Sequence, residues 1–216
     1  MASLELGLHL FVLRLFCLAV FLGCCSAADA RGVDAETAAA YEDMSLVLPS
    51  PSLVIVCHGF GCRLRTEIGL TAADRARLAQ ILKAGKASAT AERQAIASAV
   101  QWFDRRVGPE TGTVHHIARA GHDQLREADS QFDCIDSSRN TTSLLLVLDE
   151  LDLLKYHRVE QVVARGAFID GRWPHATAVV VELGSQKEWA VDSWTHAYGE
   201  KPDIKPLSQW LGEGGL

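Results

Sequence analysis

The sequence lacks several features that would assign it to a familiar class of protein. Its formal net charge is −6 and it contains no basic run, which argues against a nucleic-acid partner. It has no internal repeat and no low-complexity tract, so neither a repeat architecture nor a disordered chain is indicated. After residue 30 no apolar run is long enough to cross a membrane, so we expect no membrane span beyond that point.

The first 30 residues have the pattern of a secretory signal. Arg14 precedes an apolar core at residues 15–23, and the small residues at 28–30 match an A-x-A cleavage site. We therefore predict a signal peptide over residues 1–30 and an exported protein, either periplasmic or secreted. An uncleaved membrane anchor is one alternative, and a lipid anchor is another because "FLGCC" resembles a lipoprotein box. The remaining residues, 31–216, suit a single domain of ordinary size.

Cysteine is scarce outside the predicted signal. Three of the six cysteines lie within it, and the exported part keeps Cys57, Cys62 and Cys134. Cys57 and Cys62 bracket "CHGFGC", whose two glycines let the backbone return tightly enough for disulfide geometry. In an oxidising compartment we expect this pair to form a disulfide. Cys134 is then single, and such a thiol in an exported protein is either bonded to another molecule or kept free for chemistry.

Hydrophobic periodicity in the first part of the chain predicts helices after one short strand. The run "SLVIVC" has strand character, after a small and polar lead-in over residues 31–51. Thr71 and Asp74 form a capping-box pattern ahead of a helix that stops near Gly85. A second helix is predicted from about residue 90 to residue 107, with Gly108 at its end. A long loop without periodicity follows, over residues 108–131.

The second part of the chain predicts a helix followed by a hairpin. Cys134 lies near the first turn of a leucine-rich helix, and residues 159–165 form a strand pattern. Residues 175–183 and 188–194 are predicted to be two antiparallel strands that are joined through "GSQK". The tail is turn-rich and ends in a short docked helix. Together these elements predict a mixed α+β fold.

A thiol at a helix start can become a nucleophile. Unpaired N–H groups and the helix dipole favour the thiolate there, so we expect a pKa below the usual value and a thiolate–imidazolium pair. Such a nucleophile needs a base and a group that orients the base. His175 opens the first hairpin strand and Asp192 lies on the second. The two face each other directly if the turn is centred between Leu183 and Gly184.

These residues resemble the transglutaminase-like cysteine proteinases of the papain-like superfamily. "DCID" around Cys134 is similar to the nucleophile motif of the bacterial periplasmic branch, and "H...W..D" across 175, 189 and 192 is similar to the hairpin of the transglutaminase core. The resemblance covers about residues 131–194. It implies N-terminal helices and a nucleophile helix packed on an antiparallel sheet. It also implies Cys134 as nucleophile, His175 as general base and acid, and Asp192 as the residue that orients the imidazole.

Further candidate residues surround Cys134. Gln131 could supply an oxyanion donor beside the backbone N–H of Cys134. Asp133, Asp136 and Glu150 are candidate calcium ligands, as relatives in the periplasmic branch suggest, and solvated carboxylates at a helix start are the alternative. A zinc site is disfavoured because the candidates lack a paired short-ligand motif and the disulfide uses two of them. Those candidates are Cys57, His58, Cys62, His115 and His116.

The expected function is therefore cleavage of an amide or peptide bond in a protein or peptide substrate. Thiolate attack gives a thioester, which water then hydrolyses; no cofactor is expected unless calcium binds. Two alternatives stay open. An amine acceptor would make the protein a transglutaminase, and loss of catalysis would leave an envelope binding or assembly module on the same fold. The sequence does not indicate an oligomeric state.

Overall fold

The structure is a computed structural model that describes residues 33–166 and 174–213. Residues Gly32–Leu216 form one compact unit. The predicted signal peptide, with its cleavage site and the alternative anchors, lies outside the described residues. Within the described ranges, no helix is both long and apolar enough to cross a membrane.

The fold is mixed α+β, as expected, with five α-helices and two antiparallel sheets among the described residues. The helices are α1 (Ala35–Asp43), α2 (Ala72–Lys83), α3 (Ala89–Thr111), α4 (Cys134–Glu150) and α5 (Leu207–Gly212), with 3₁₀ helices at Ala84–Ala87 and His122–Ser130. The strands are β1 (Leu53–His58), β2 (Leu64–Gly69), β3 (His157–Arg165), β4 (His175–Glu182), β5 (Glu188–Asp192) and β6 (Asp203–Pro206). β1 and β2 form one sheet, and the other has the order β3-β4-β5-β6.

Helix α4 lies at the centre of the molecule, in contact with β1 and with the four-stranded sheet. Its C-terminal half is aliphatic and buried, as in Leu144 and Leu148. Its N-terminal half is buried although it is polar, because its side chains have partners. Ser143 bonds to the Tyr41 hydroxyl at 2.6 Å, and Thr141 bonds to Ser193 at 2.9 Å. The helix is therefore buried along most of its length, although Ile135 and Glu150 are exposed and its first residue, Cys134, is partly exposed.

Helix α2 confirms the predicted capping box: the side chains of Thr71 and Asp74 bond reciprocally to the backbone N–H groups. Helix α3 is longer than predicted and continues through Gly108 to Thr111. Gly108 allows close packing there, since a Cβ would lie 2.6 Å from Cε2 of Tyr198. Pro109 cannot donate to the carbonyl of Arg105, four residues earlier, and the Tyr198 hydroxyl donates to that oxygen at 3.2 Å instead.

Helix α1, strands β2 and β6 and the two 3₁₀ helices were not predicted, and the 3₁₀ helix at His122–Ser130 lies in the segment predicted to be a loop. Helix α1 lies in the segment interpreted as a lead-in, and its side-chain contact through Tyr41 is with α4, far along the chain. Most side chains of strands β2 and β6 are at least partly exposed, and neither strand shows a clear alternation of apolar and polar residues. Strand β1, the hairpin β4–β5, the short C-terminal helix and the Cys57–Cys62 disulfide are present as predicted. The disulfide fits an exported protein.

Candidate active site

The predicted nucleophile opens helix α4. Asp133 is the N-cap residue: its side chain accepts from the N–H of Asp136 at 2.8 Å, and the Asp136 side chain accepts from the N–H of Asp133 at 3.2 Å. This reciprocal capping makes Cys134 the first helical residue. The residue is partly exposed, and the backbone N–H of Ala176 on β4 lies close enough to its thiol to favour the thiolate. The helix start thus places the thiol against the four-stranded sheet.

The disulfide-linked turn holds this helix start from the other side. Residues 59–62 all have positive φ, between 57° and 82°, which turns their N–H groups to one side. These groups donate to the carboxylates of the first turn of α4: Phe60 and Cys62 to Asp136 at 2.9 and 2.7 Å, and Gly61 to Asp133 at 2.8 Å. A left-handed conformation costs a non-glycine residue such as Phe60 roughly 1 kcal/mol. The hydrogen bonds from the turn to Asp133 and Asp136 offset that cost.

His175 and Asp192 are in contact on neighbouring strands. The Nε2–H of His175 donates to Oδ2 of Asp192 at 2.6 Å, and both side chains are buried. The turn is not centred between Leu183 and Gly184, because Ala178 pairs with Val191, which places the centre one residue later than a direct His175–Asp192 pair requires. The contact survives because residues two apart on a strand share a face. Diagonal neighbours across an antiparallel pair stay within reach of an imidazole.

The C-terminal helix covers this pair. The indole Nε1–H of Trp210 donates to Oδ2 of Asp192 at 2.8 Å, and the Trp210 ring lies 5.2 Å from the His175 ring. The guanidinium of Arg165 lies over the Trp210 ring at 4.1 Å. Burial alone would raise the pKa of Asp192, but the hydrogen bonds from His175 and Trp210 and the charge of Arg165 hold it below its usual range. Asp192 is therefore ionised at neutral pH.

Two atoms of the pair have no hydrogen-bond partner in the part of the chain that the structure describes. They are His175 Nδ1 and Asp192 Oδ1, and both are buried. Because Nε2 donates to Asp192, the neutral imidazole carries its proton on Nε2, and Nδ1 is a free proton acceptor. A buried polar atom without a partner costs stability, so it is uncommon. His175 directly precedes Ala176, the residue that contacts the Cys134 thiol.

The thiol itself does not have the predicted electrostatics. Burial, with the negative charges of Asp133 and Asp192, raises the pKa of the Cys134 thiol to about 11. The N–H groups of Ala176 and of Cys134 oppose this increase without reversing it. The expectation of a thiol pKa below the usual value is therefore wrong for the free protein. At neutral pH the thiol is protonated, and a base must accept its proton before it can attack.

Gln131 lies three residues before Cys134 and is buried. Its side-chain oxygen accepts from the N–H of Ile117 at 2.9 Å, and its backbone oxygen accepts from the N–H of Gly59 at 3.1 Å. These bonds fix the side-chain carbonyl and leave the amide NH₂ as the group that Gln131 can offer to a ligand. Its role as an oxyanion donor stays a prediction.

The candidate calcium ligands are already engaged. Each carboxylate oxygen of Asp133 and Asp136 accepts at least one backbone N–H, and burial with the charge of Asp133 raises the pKa of Asp136. Glu150 does not join them, because it is the last residue of the 17-residue helix α4, about 24 Å away at a rise of 1.5 Å per residue. Calcium binding by Asp133 and Asp136 stays a prediction.

The zinc combination is incompatible with the structure, because the disulfide consumes Cys57 and Cys62. His58 is also engaged, by the carbonyl of Asp129 at 2.7 Å and by Thr66 at 3.0 Å. Across residues 33–166 and 174–213, no group of three or more His, Cys, Asp or Glu side chains is arranged to hold a metal ion.

The contacts of two residues near the site were not predicted from the sequence. Asn140 accepts from the N–H of Cys57 at 2.7 Å and donates to its carbonyl at 2.8 Å, which ties β1 to α4. In the sequence, Asn140 is distinguished only as an amide side chain shortly before the leucine-rich run. Trp210 was included in the docked helix but was not connected to Asp192. The spacing of Leu207 and Trp210, both buried, indicates one apolar face but not the acceptor of the indole N–H.

Comparison with known proteins gives no match: no family model, no curated protein and no solved structure is significantly similar to the chain. The functional interpretation therefore depends on the residues and their geometry.

Proposed function

We propose that the protein is an exported cysteine hydrolase with a transglutaminase-like core that cleaves an amide or peptide bond. One observation carries the proposal. Asp192 holds the imidazole of His175 through Nε2, and Nδ1 has no hydrogen-bond partner among the described residues. On strand β4, His175 directly precedes Ala176, whose backbone N–H is close to the Cys134 thiol. Cys134, His175 and Asp192 can therefore act as the nucleophile, the base and the orienting carboxylate that covalent catalysis needs. The predicted signal and the disulfide support a location in the periplasm or outside the cell.

Acylation begins with proton transfer. His175 Nδ1 accepts the proton of the Cys134 thiol, and the sulfur forms a bond to the carbonyl carbon of the substrate. The carbonyl π electrons move to oxygen, where the backbone N–H of Cys134 and the amide NH₂ of Gln131 are the proposed donors. The tetrahedral intermediate collapses as the C–N bond breaks, and the leaving amine takes the proton from Nδ1. The product of this half-reaction is a thioester on Cys134.

Deacylation reverses the roles. Nδ1 of His175 accepts a proton from water, the hydroxide attacks the thioester carbonyl, and the C–S bond breaks. The sulfur recovers the proton from His175, and a carboxylic acid leaves. Asp192 stabilises the imidazolium in both half-reactions and keeps the ring oriented, without taking the proton. Because the thiol and Nδ1 share no hydrogen bond in the free protein, substrate binding must bring them together, as apo geometries of catalytic groups commonly require.

A non-catalytic binding module is the second candidate. The observation that favours it is the raised pKa of the Cys134 thiol, about 11, because a protonated thiol is a poor nucleophile. Under this candidate His175 and Asp192 stabilise the fold and the thiol has no assisted reactivity. The two candidates differ in one measurable property, which is whether His175 accelerates reactions of Cys134.

Labelling by a peptidyl acyloxymethyl ketone tests the proposal. The reagent carries a carbonyl where the substrate does, so it reports on assisted attack. Mass spectrometry should locate the adduct on Cys134 at neutral pH, and Cys134→Ala should give none. His175→Gln should label far more slowly than wild type. Equal labelling of wild type and His175→Gln would overturn the hydrolase proposal and favour the binding module. A fluorescent primary amine added to substrate assays reports transfer to an amine instead of water.

A further inference from the structure

A cleft opens beside Cys134, between the turn at residues 59–62 and the segment that follows α3. Its volume is about 170 Å³. Besides Cys134 itself, it is lined by Phe60, Ala120, Gly121, Leu125, Asp133 and Trp194. An apolar protein cavity of about 150 Å³ can hold a benzene molecule. The cleft therefore has the size of a leucine or phenylalanine side chain.

Two aromatic walls of the cleft are held in place. The indole N–H of Trp194 donates to the carbonyl of Ala120 at 3.0 Å, and its ring lies 4.7 Å from the ring of His175. Phe60 belongs to the left-handed turn, and its N–H is bonded to Asp136. Walls that are fixed before binding lower the entropic cost of receiving a ligand.

The rim of the cleft exposes apolar surface. Leu125 lines the cleft and is 55% exposed, and Ile135, which follows Cys134 in α4 but does not line the cleft, is 42% exposed. Large apolar side chains that are this exposed beside a concave site mark a surface that a ligand covers. Covering them removes apolar area from water, which is a favourable term for an apolar ligand only.

The charges at the cleft also favour an apolar ligand. Among the described residues that line it, Asp133 is the acidic side chain and no side chain is basic. An acidic ligand group would be desolvated without a partner and repelled. Both oxygens of Asp133 already accept backbone N–H groups, so a lysine side chain would compete with bonds that are already made.

We infer that this cleft receives a large apolar side chain, of the size of leucine or phenylalanine, on the residue whose carbonyl Cys134 attacks. The inference rests on the proposed function and adds its substrate class. The substrates are peptide segments in which such a residue directly precedes the bond that is cleaved.

A series of peptidyl acyloxymethyl ketones tests this selectivity. The reagents differ in the side chain next to the reactive carbonyl, which is leucine, phenylalanine, alanine, lysine or aspartate. Leucine and phenylalanine reagents should label Cys134 about 10-fold faster or more than the other three, as apolar pockets discriminate. Equal rates across the series, or a preference for lysine or aspartate, would overturn the inference.

A variant at the rim ties the selectivity to the cleft. Leu125→Trp adds bulk from an exposed position, so it should fill the cleft and reduce the preference for leucine over alanine to near unity. Leu48→Trp is the matched control, since Leu48 is 39% exposed and does not line the cleft. It should keep the wild-type preference. An unchanged preference in Leu125→Trp would place the selectivity elsewhere.

Binding to Cys134→Ala separates this inference from the hydrolase proposal. Fluorescein-labelled peptides with leucine or aspartate at the same position are compared by fluorescence polarisation. Tighter binding of the leucine peptide by about 10-fold supports the pocket even if wild type forms no acyl adduct, and only the hydrolase proposal then falls. Labelling of wild type without tighter binding of the leucine peptide would sink the pocket and leave the hydrolase proposal standing.

Discussion

Two buried histidine–carboxylate pairs lie in the part of the chain that the structure describes, and they differ in what the second ring nitrogen of the histidine does. In the first, the Nδ1–H of His157 donates to Glu92 at 2.9 Å, while Nε2 accepts from the Arg93 guanidinium at 3.2 Å. Glu92 also accepts from the backbone N–H groups of Lys155 and Tyr156, at 2.7 and 2.9 Å. Both ring nitrogens of His157 and both carboxylate oxygens of Glu92 therefore have hydrogen-bond partners.

The second pair, His175 and Asp192, is tighter, at 2.6 Å, but it leaves His175 Nδ1 and Asp192 Oδ1 without partners among the described residues. Both pairs are buried, and in both the histidine lies on a strand that packs against α4. A satisfied pair stabilises the fold, whereas an unsatisfied one keeps a proton acceptor available at a cost in stability. The comparison favours a structural role for His157 and the proposed catalytic role for His175, and changing both residues tests it.

The largest expected effect is on the two histidines. His175→Gln removes the free acceptor, so hydrolysis of a leucine-containing peptide substrate should fall at least about 10³-fold. His157→Gln should keep the wild-type rate, because it changes a network remote from Cys134. Its effect should be on unfolding, with a free energy lower by about 2 kcal/mol, since Glu92 and Arg93 lose a buried partner. Steady-state kinetics and urea denaturation measure the two effects. A loss of activity that is the same in both variants would break the comparison.

Asp192→Asn should separate catalysis from thiol acidity. Hydrolysis should fall at least about 10²-fold, because the amide no longer holds His175 in the Nε2–H tautomer. The negative charge of Asp192 raises the pKa of the Cys134 thiol, so its removal should lower that pKa from about 11. Iodoacetamide alkylation at pH 9 should therefore become faster while hydrolysis becomes slower. Asp133→Asn, which also removes a charge near the thiol, is the matched control for the alkylation rate alone. Parallel changes in alkylation and hydrolysis would contradict this account.

The pH dependence of wild-type alkylation follows from the same groups. With a thiol pKa of about 11, the thiolate fraction is small at pH 7 and grows as pH rises toward 11. Iodoacetamide, which does not fill the cleft, should react slowly near neutrality and about 10-fold faster for each pH unit until the pKa is approached. A peptidyl electrophile should react at neutral pH. A plateau of the iodoacetamide rate below pH 8 would show a depressed thiol pKa and a thiolate that exists before substrate binds.

The smallest expected effect concerns the partner of Asp192 in the C-terminal helix. Trp210→Phe keeps the ring beside His175 and removes the N–H that donates to Asp192, so activity should fall about 5-fold, as the loss of one hydrogen bond implies. The comparable change at the other pair, Arg93→Lys, should leave the rate unchanged. Kinetic constants for both variants decide this. A larger effect from Arg93→Lys would link the His157 network to the site.

Sequence patterns were informative where local chemistry decides the structure. The "DCID" motif contains its own capping box, so the position of Cys134 at a helix start follows from residues 133 and 136 alone. The glycine-bearing span between Cys57 and Cys62 predicted the disulfide for the same reason, and two strand-like runs joined through "GSQK" predicted the β4–β5 hairpin. The contact between His175 and Asp192 was expected from a direct cross-strand pair, and it forms although the turn lies one residue later, because side chains two residues apart share a strand face.

Features that depend on distant residues could not be predicted. The thiol pKa depends on burial and on the charge of Asp192, which is close in space but far in sequence, and local reasoning from the helix dipole gave the opposite direction. Strand β6 and helix α1 are stabilised by what they pack against rather than by their own periodicity. The indole of Trp210 finds Asp192 only once the chain has folded.

The most direct test of the central claim, that the free nitrogen of His175 serves Cys134, is the intact mass of the protein during reaction with the p-nitrophenyl ester of N-acetyl-leucine. The account predicts that wild type and His157→Gln gain one acyl group on Cys134, release nitrophenol and lose the acyl group again to water. His175→Gln should gain it far more slowly, and Cys134→Ala should not gain it. Acylation of Cys134 at the same rate in His175→Gln and in wild type would contradict the claim.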